Sequence, residues 1–323
     1  MTILEPTANN RNLSLVALCG GVGGARLVRA LDRLLPTASI TAIVNVGDDE
    51  KRYGVHVAAD IDTVLYTLSD IVGPQGWGID GDTTTMMTTL NKLGVDTAFH
   101  LGDRDFAHCL WRTNRLSEGS SLSATTTHLA TTLGVRPKVL PATDDPVATA
   151  VQIADGSWLT FQEYFVERGH RDEVRTLRYD GADVATAAPG VIDAIANADA
   201  VIIAPSNPPL SIWPILAIPG IRHSLETHDR VIAVSPLFSG TALKGPARQV
   251  LESLGLGSGT ASILAAYDAL IDYLIIDAGD SADTQLSNAR TVVEAVDTRL
   301  TPVDRAQDLV ATITRLIGET NAN

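Results

Sequence analysis

Four glycines around a valine, residues 20–24, stand between a compact apolar run at 15–19 and a stretch, 25–35, whose apolar residues recur at helical spacing. This strand, turn and helix signature constrains the fold more than any other feature of the chain. A short, wholly apolar strand has no face to offer water, so it belongs inside a parallel sheet covered by helices on both sides. Runs of the same kind occur at 40–46, 200–204, 231–234 and 273–276, and residues 97–101 read as another strand. Helical patterns lie between them at 60–72, 83–93 and 105–116. Pro302 opens a final amphipathic helix with Leu309, Ile313 and Ile317 on one face. The alternation specifies an α/β fold with a mainly parallel sheet.

The alternation fails near Pro141. Residues 160–166 alternate and are rich in aromatics, a charged stretch follows, and regular α/β patterning resumes at about residue 189. Residues 141–188 therefore read as an inserted subdomain with short, antiparallel strands. It interrupts a core of about 13–140 and 189–323, and residues 1–12 read as a flexible N-terminus. A length of 323 residues accommodates one large α/β domain with such an insertion.

Charge narrows the partners. Lys and Arg number 24 against 38 Asp and Glu, a formal net charge of −14. That balance argues against a nucleic-acid binder or an anionic-membrane binder, which needs a basic face. Phosphate ligands stay open, because backbone N–H groups and a bound cation hold them without basic side chains. The two cysteines, Cys19 and Cys109, are far apart and form neither a disulfide framework nor a zinc spacing. With no signal-peptide pattern and no run of membrane-spanning length, the chain reads as a soluble, cytoplasmic protein.

The chemistry-bearing residues collect where strands end. Gly20, Gly21, Gly23 and Gly24 lie between the first strand and the first helix, where a tight turn meets unpaired helix N–H groups suited to a phosphate. The loop lacks the Walker lysine and the dinucleotide glycine spacing, and a merely tight turn is the plainer alternative. The second strand runs into Asp48 and Asp49, and Asp60 and Asp62 follow at a helix start. Carboxylates beside a phosphate loop suggest Mg²⁺, a hard cation bound through oxygen. Asp49 and Asp62 read as site residues, whereas Asp60 reads as a helix cap. Arg104, between Asp103 and Asp105, serves equally as an anion contact or a solvated turn. His108 and Arg112 lie further along that helix, His108 reading as structural, and His56 reads as an exposed loop residue. Ser206 and Asn207 end a very apolar strand before two prolines and are placed to bond a ligand or cap a helix. Lys244 lies in a later loop of the same kind. No G-x-S-x-G elbow or H-E-x-x-H zinc motif is present.

Taken in order, CGGVGGAR (19–26), AIVNVGDD (42–49), DIDTVLYTLSD (60–70), LGDRD (101–105), APSNPPLSI (204–212) and KGPA (244–247) resemble the 2-phospho-L-lactate transferase family of deazaflavin coenzyme biosynthesis. The resemblance spans the chain from about Leu15 to the last helix. It implies a Rossmann-like three-layer fold, a homodimer and Mg²⁺. It implies transfer of a phospholactyl-type group from a guanosine diphosphate derivative to the hydroxyl of the deazariboflavin Fo, with release of GMP. By motif, the four glycines, Ser206, Asn207 and Lys244 fall to the nucleotide. Asp49 falls to the acceptor hydroxyl or the metal, with Asp48 and Asp62 as further metal ligands. Archaeal relatives carry an arginine at a deazaflavin-contacting position where this chain has Thr85, three residues after Asp82, so Asp82 and Thr85 mark the acceptor pocket. The three-carbon acid (phospholactate, phosphoenolpyruvate or phosphoglycerate) stays open. So does a second reading, that of the nucleotide-sugar-binding, gluconeogenesis-factor-like regulators in the same superfamily.

Overall fold

The structure, a computed structural model, describes residues 12–242 and 245–319. Residues 1–11 of the expected N-terminal segment lie outside the described residues, as does Lys244.

Seven strands form the central sheet: β1 (Ser14–Cys19), β2 (Ser39–Val44), β3 (Lys138–Pro141), β4 (Ala200–Ile203), β5 (Val231–Val234), β6 (Tyr273–Asp277) and β7 (Val292–Val296). Their order is β7-β6-β5-β4-β1-β2-β3, and every neighbouring pair is parallel. The chain winds outward from β1 in one direction and from β4 in the other, which opens a crevice at the carboxyl ends of those two strands. β1 is central, hydrogen-bonded to β2 and β4, and its residues Leu15 to Cys19 expose 1% or less of their surface. This is why the run at 15–19 tolerates no polar side chain.

Five helices bear on the site: α1 (Gly21–Leu34), α2 (Ala59–Leu68), α3 (Thr85–Lys92), α4 (Asp103–Ser117) and α5 (Leu122–Thr132). α1 buries Leu27, Val28 and Leu31 and turns Arg33 outward, with Arg26 and Arg29 half-buried at the edge of that face. Between β2 and α2 a short hairpin pairs Glu50–Arg52 with Val55–Val57.

Two expectations are corrected. Residues 97–101 form no strand. The place beside β2 belongs to β3, in a register from Thr41 opposite Lys138 to Val44 opposite Pro141. The apolar residues at 97–101 serve a small side core instead, where Leu101 is buried with Met87, Cys109, Val55 and Val57. Nor do residues 160–166 continue as a strand. The strand Trp158–Thr160 stops there, and Glu163–Glu167 makes one π-helical turn. Phe161 and Phe165 stack with centroids 5.2 Å apart, so their four-residue spacing serves a helical turn as well as alternation.

Within 141–188, Ala148–Ile153 pairs antiparallel with Trp158–Thr160 and with Val174–Asp180. These strands enclose their own core of Val151, Ile153, Tyr164 and Val174, closed by Leu210 and Val250 from the main body. The Thr149 N–H donates to the Gly47 carbonyl at 2.8 Å, which ties the insertion to the loop after β2.

Candidate active site

Only Gly20 separates β1 from α1. Gly21 has φ of +63°, a left-handed conformation that costs glycine nothing. A Cβ on Gly24 would lie 2.6 Å from Cys19 Cβ and 2.8 Å from Ser206 Oγ, and one on Gly23 only 2.4 Å from the Pro205 carbonyl oxygen. Gly23 and Gly24 thus let α1 lie directly on the turn after β4, and protein fills the face where their side chains would stand. Gly20 N–H donates to Ser206 Oγ at 3.1 Å, and that hydroxyl donates back to the Gly20 carbonyl at 2.8 Å. Gly21 N–H donates to Asp60 Oδ1 at 2.6 Å. Of the four N–H groups a helix start leaves without carbonyl partners, these bonds use those of Gly20 and Gly21 and leave those of Val22 and Gly23.

Asp60 does not cap its own helix, contrary to the sequence reading. The N-cap of α2 is Ala58, and no side chain bonds the cap. Asp60 reaches across the crevice floor, one oxygen on Gly21 N–H and the other accepting from Asn45 Nδ2 at 2.9 Å. Asn45 Oδ1 in turn accepts the Gly47 N–H at 2.8 Å. One buried carboxylate therefore couples the turn after β1 to the loop after β2. Burial pushes it up to about 6, against the lowering effect of these hydrogen bonds.

That loop carries Asp48 and Asp49. Asp48 is 5% exposed, and its Oδ1 is sealed from solvent without a hydrogen-bond partner. Burial raises its proton affinity well above the ordinary carboxylate range, and the nearby Asp60 charge adds to this. Asp49 Oδ2 lies 3.1 Å from His56 Nε2, while its Oδ1 is likewise sealed and unpartnered. Burial raises Asp49 too, with the His56 contact opposing. The insertion holds this loop from the far side, Gln162 Nε2 donating to the Asp48 carbonyl at 3.1 Å. Two adjacent carboxylates, each with a buried oxygen lacking a donor, fit a hard divalent cation such as Mg²⁺.

Asp62 is not gathered with them. Its Oδ2 accepts from Arg112 Nη1 at 3.0 Å and its Oδ1 from Arg112 Nη2, so the guanidinium grips both oxygens. Arg112 also donates to the His56 carbonyl at 3.2 Å. Among the described residues, the group of three ligand-type side chains whose atoms lie within 4.8 Å of one another is Asp62, Asp105 and Cys109, not Asp48, Asp49 and Asp62. The physical reason is the buried arginine fifty residues downstream, which draws Asp62 to the α2–α4 interface. There the Tyr66 hydroxyl donates to Asp105 at 2.8 Å and lies 3.0 Å from His108 Nδ1. Burial and the Asp62 charge push Asp105 up to about 7.

Asp82 and Thr85, which the resemblance assigns to an acceptor pocket, lie at a pair of reciprocal caps. Asp82 accepts the N–H groups of Arg104 and Asp105 at the start of α4, and Asp103 accepts those of Thr85 and Met86 at the start of α3. The Arg104 guanidinium meets the Asp80 carbonyl at 3.4 Å. Asn207 Oδ1 accepts from Leu210 N–H at 3.3 Å, and its Nδ2 is buried without a partner. One residue was missed by the sequence reading. Ser211 packs against Gly20, and the only signal for it was a lone hydroxyl inside the apolar stretch 208–216.

Known proteins bear on this geometry. The family described as 2-phospho-L-lactate transferase CofD matches residues 15–315. A phosphoenolpyruvate transferase from Streptomyces griseus subsp. griseus is 36% identical over 318 residues, covering 96% of this chain and 100% of that protein. A 2-phospho-L-lactate transferase from Methanopyrus kandleri is 37% identical over 313 residues, covering 95% and 99%. A crystal structure of a UPF0052 family protein from Bacillus halodurans superposes with a TM-score of 0.66 over 96% of this chain and 100% of that one, at 18% identity, a likeness of fold alone. Family match and near full-length relatives agree: this chain belongs to the 2-phospho-L-lactate transferase family and is an enzyme of that kind.

Proposed function

We propose that the protein transfers a 2-phospholactyl or phosphoenolpyruvyl group from a guanosine diphosphate derivative to the hydroxyl of the deazariboflavin Fo and releases GMP, in deazaflavin coenzyme biosynthesis. The observation that carries this reading is the pair of sealed, donor-less oxygens on Asp48 and Asp49 beside the glycine turn. Asp48 and Asp49 would hold Mg²⁺, which when bound neutralises charge on the diphosphate oxygens. Val22 and Gly23 present N–H groups to the nucleotide's phosphate. Asp60 fixes the distance between that turn and the acidic loop, and Asp49, steadied by His56, orients the acceptor hydroxyl. In the reaction the hydroxyl oxygen bonds the phosphorus that carries the three-carbon acid, losing its proton. The bond from that phosphorus to the bridging oxygen breaks, and GMP departs with the oxygen. Fo as acceptor and a homodimer rest on the family resemblance, Mg²⁺ on that resemblance and on the acidic loop, and a cytoplasmic location on the sequence reading.

The test is direct. Purified protein, Mg²⁺, Fo and the guanylylated phospholactate or phosphoenolpyruvate donor are incubated, and products are read by mass spectrometry. A phosphodiester-linked deazaflavin with stoichiometric GMP supports the reading. No GMP with either donor overturns it. Sedimentation velocity reads the oligomeric state.

A further inference from the structure

Two serines flank Gly20, and they behave differently. The Ser206 hydroxyl makes two hydrogen bonds to the Gly20 backbone, accepting from its N–H and donating its only hydrogen to its carbonyl. Ser211 comes from the far side on a single π-helical turn, Pro208–Ile212. That turn begins with Asn207 capping Leu210, is stiffened by two prolines, and bonds Ser211 N–H to the Asn207 carbonyl at 2.8 Å. Wider than an α turn, a π turn rotates the residues that follow it, and such turns are frequent at functional sites. Here the rotation sets the Ser211 side chain against the glycine turn. A Cβ built on Gly20 would lie 2.9 Å from Ser211 Cβ and 3.2 Å from its Oγ. Ser211 is only 8% exposed, and among the described residues no protein group bonds its hydroxyl, whose oxygen keeps an opening to solvent. A hydroxyl so placed takes its partner from water or from a ligand. No carboxylate or carbonyl takes its hydrogen, although Asp60 Oδ2 faces the same glycine.

We infer that Ser211 is a substrate-binding residue, its hydroxyl donating to a phosphate oxygen of the nucleoside diphosphate group held over the glycine turn. This rests on the proposed donor chemistry and deepens it. Ser206 shapes the turn, while Ser211 touches the ligand.

The experiment measures GDP binding by calorimetry, donor KM and kcat, and melting temperature for the wild type, Ser211→Ala and Ser211→Thr. Ser211→Ala is expected to weaken GDP binding and raise donor KM by about five- to tenfold, with the free protein's melting temperature unchanged. Ser211→Thr, which keeps the hydroxyl, is expected to bind GDP within about threefold of wild type. Wild-type affinity in Ser211→Ala overturns the inference alone, since the wild type would still bind GDP and form product. A melting temperature lowered by several degrees in Ser211→Ala, or a threonine variant as weak as the alanine one, also overturns it. A wild type that neither binds GDP nor forms product defeats the donor chemistry itself, and the inference with it.

Discussion

Arg112 holds both carboxylate oxygens of Asp62, with 0% and 6% of the two side chains exposed. Removing one partner of a buried ion pair leaves an uncompensated charge, so Arg112→Ala is expected to lose about 3–5 kcal/mol of stability, read from urea unfolding. Asp62→Asn should also unfold early, yet keep Mn²⁺ affinity near that of the wild type in a magnetic-resonance titration. Collapse of Mn²⁺ binding in that variant would return Asp62 to the cation's own ligands.

Asp48 and Asp49 should behave the opposite way. Each substitution to asparagine removes a donor-less buried oxygen charge, so folding should survive while turnover falls. The loss in kcat/KM is expected to be about a hundredfold or more, given the several kcal/mol a cation contributes at a phosphoryl centre. Weakened Mn²⁺ binding in both variants would accompany it. Full activity in Asp49→Asn would remove that residue from the mechanism.

Asp105 makes stability depend on pH. Its folded-state value, about 7, lies above the ordinary carboxylate range. Its contribution is therefore fully present below the unfolded value of about 4 and is lost as pH rises through about 7. Asp105→Asn has no charge to bury, so its melting temperature relative to wild type should climb between pH 4 and 7 and level off above. A difference that stays flat across that range would show that Asp105 is not protonated in the folded protein.

The two kinds of glycine at the first turn should separate by cost. Gly21→Ala meets only an ordinary van der Waals contact, Asp60 Oδ1 at 3.8 Å, and bears the left-handed backbone penalty of about 1–2 kcal/mol. Gly24→Ala drives a methyl into Cys19 and Ser206 and should also shift α1. Urea midpoints should place Gly24→Ala well below Gly21→Ala, and equal midpoints would contradict the packing role.

The strand ends were legible because buried parallel strands need unbroken apolar runs, and those of β1, β2, β4, β5 and β6 stand out in the sequence. β3, whose run at 138–141 opens on Lys138 and closes on Pro141, did not, and the better-looking run at 97–101 took its place. Asp48, Asp49, Ser206 and the glycines were singled out for the same reason: they follow strands. Asp60, Asp62 and Ser211 were misread or missed because their partners lie 39, 50 and almost 200 residues away. No local pattern announces that Arg112 faces Asp62 rather than water. A carboxylate at a helix start looks the same whether it caps that helix or braces another turn.

Strand order has an outcome for what a change in the insertion reaches. To pass from β3 at the rim to β4 beside β1, the polypeptide must travel back over two strands, and it spends that journey building the insertion. The insertion bonds the backbone of Gly47 and Asp48, while Val147, Ala182, Ala185 and Ala188 at its base pack into the main core. Changes to its hairpin end would therefore reach the acidic loop, whereas changes at its base would reach the seven-stranded platform as well.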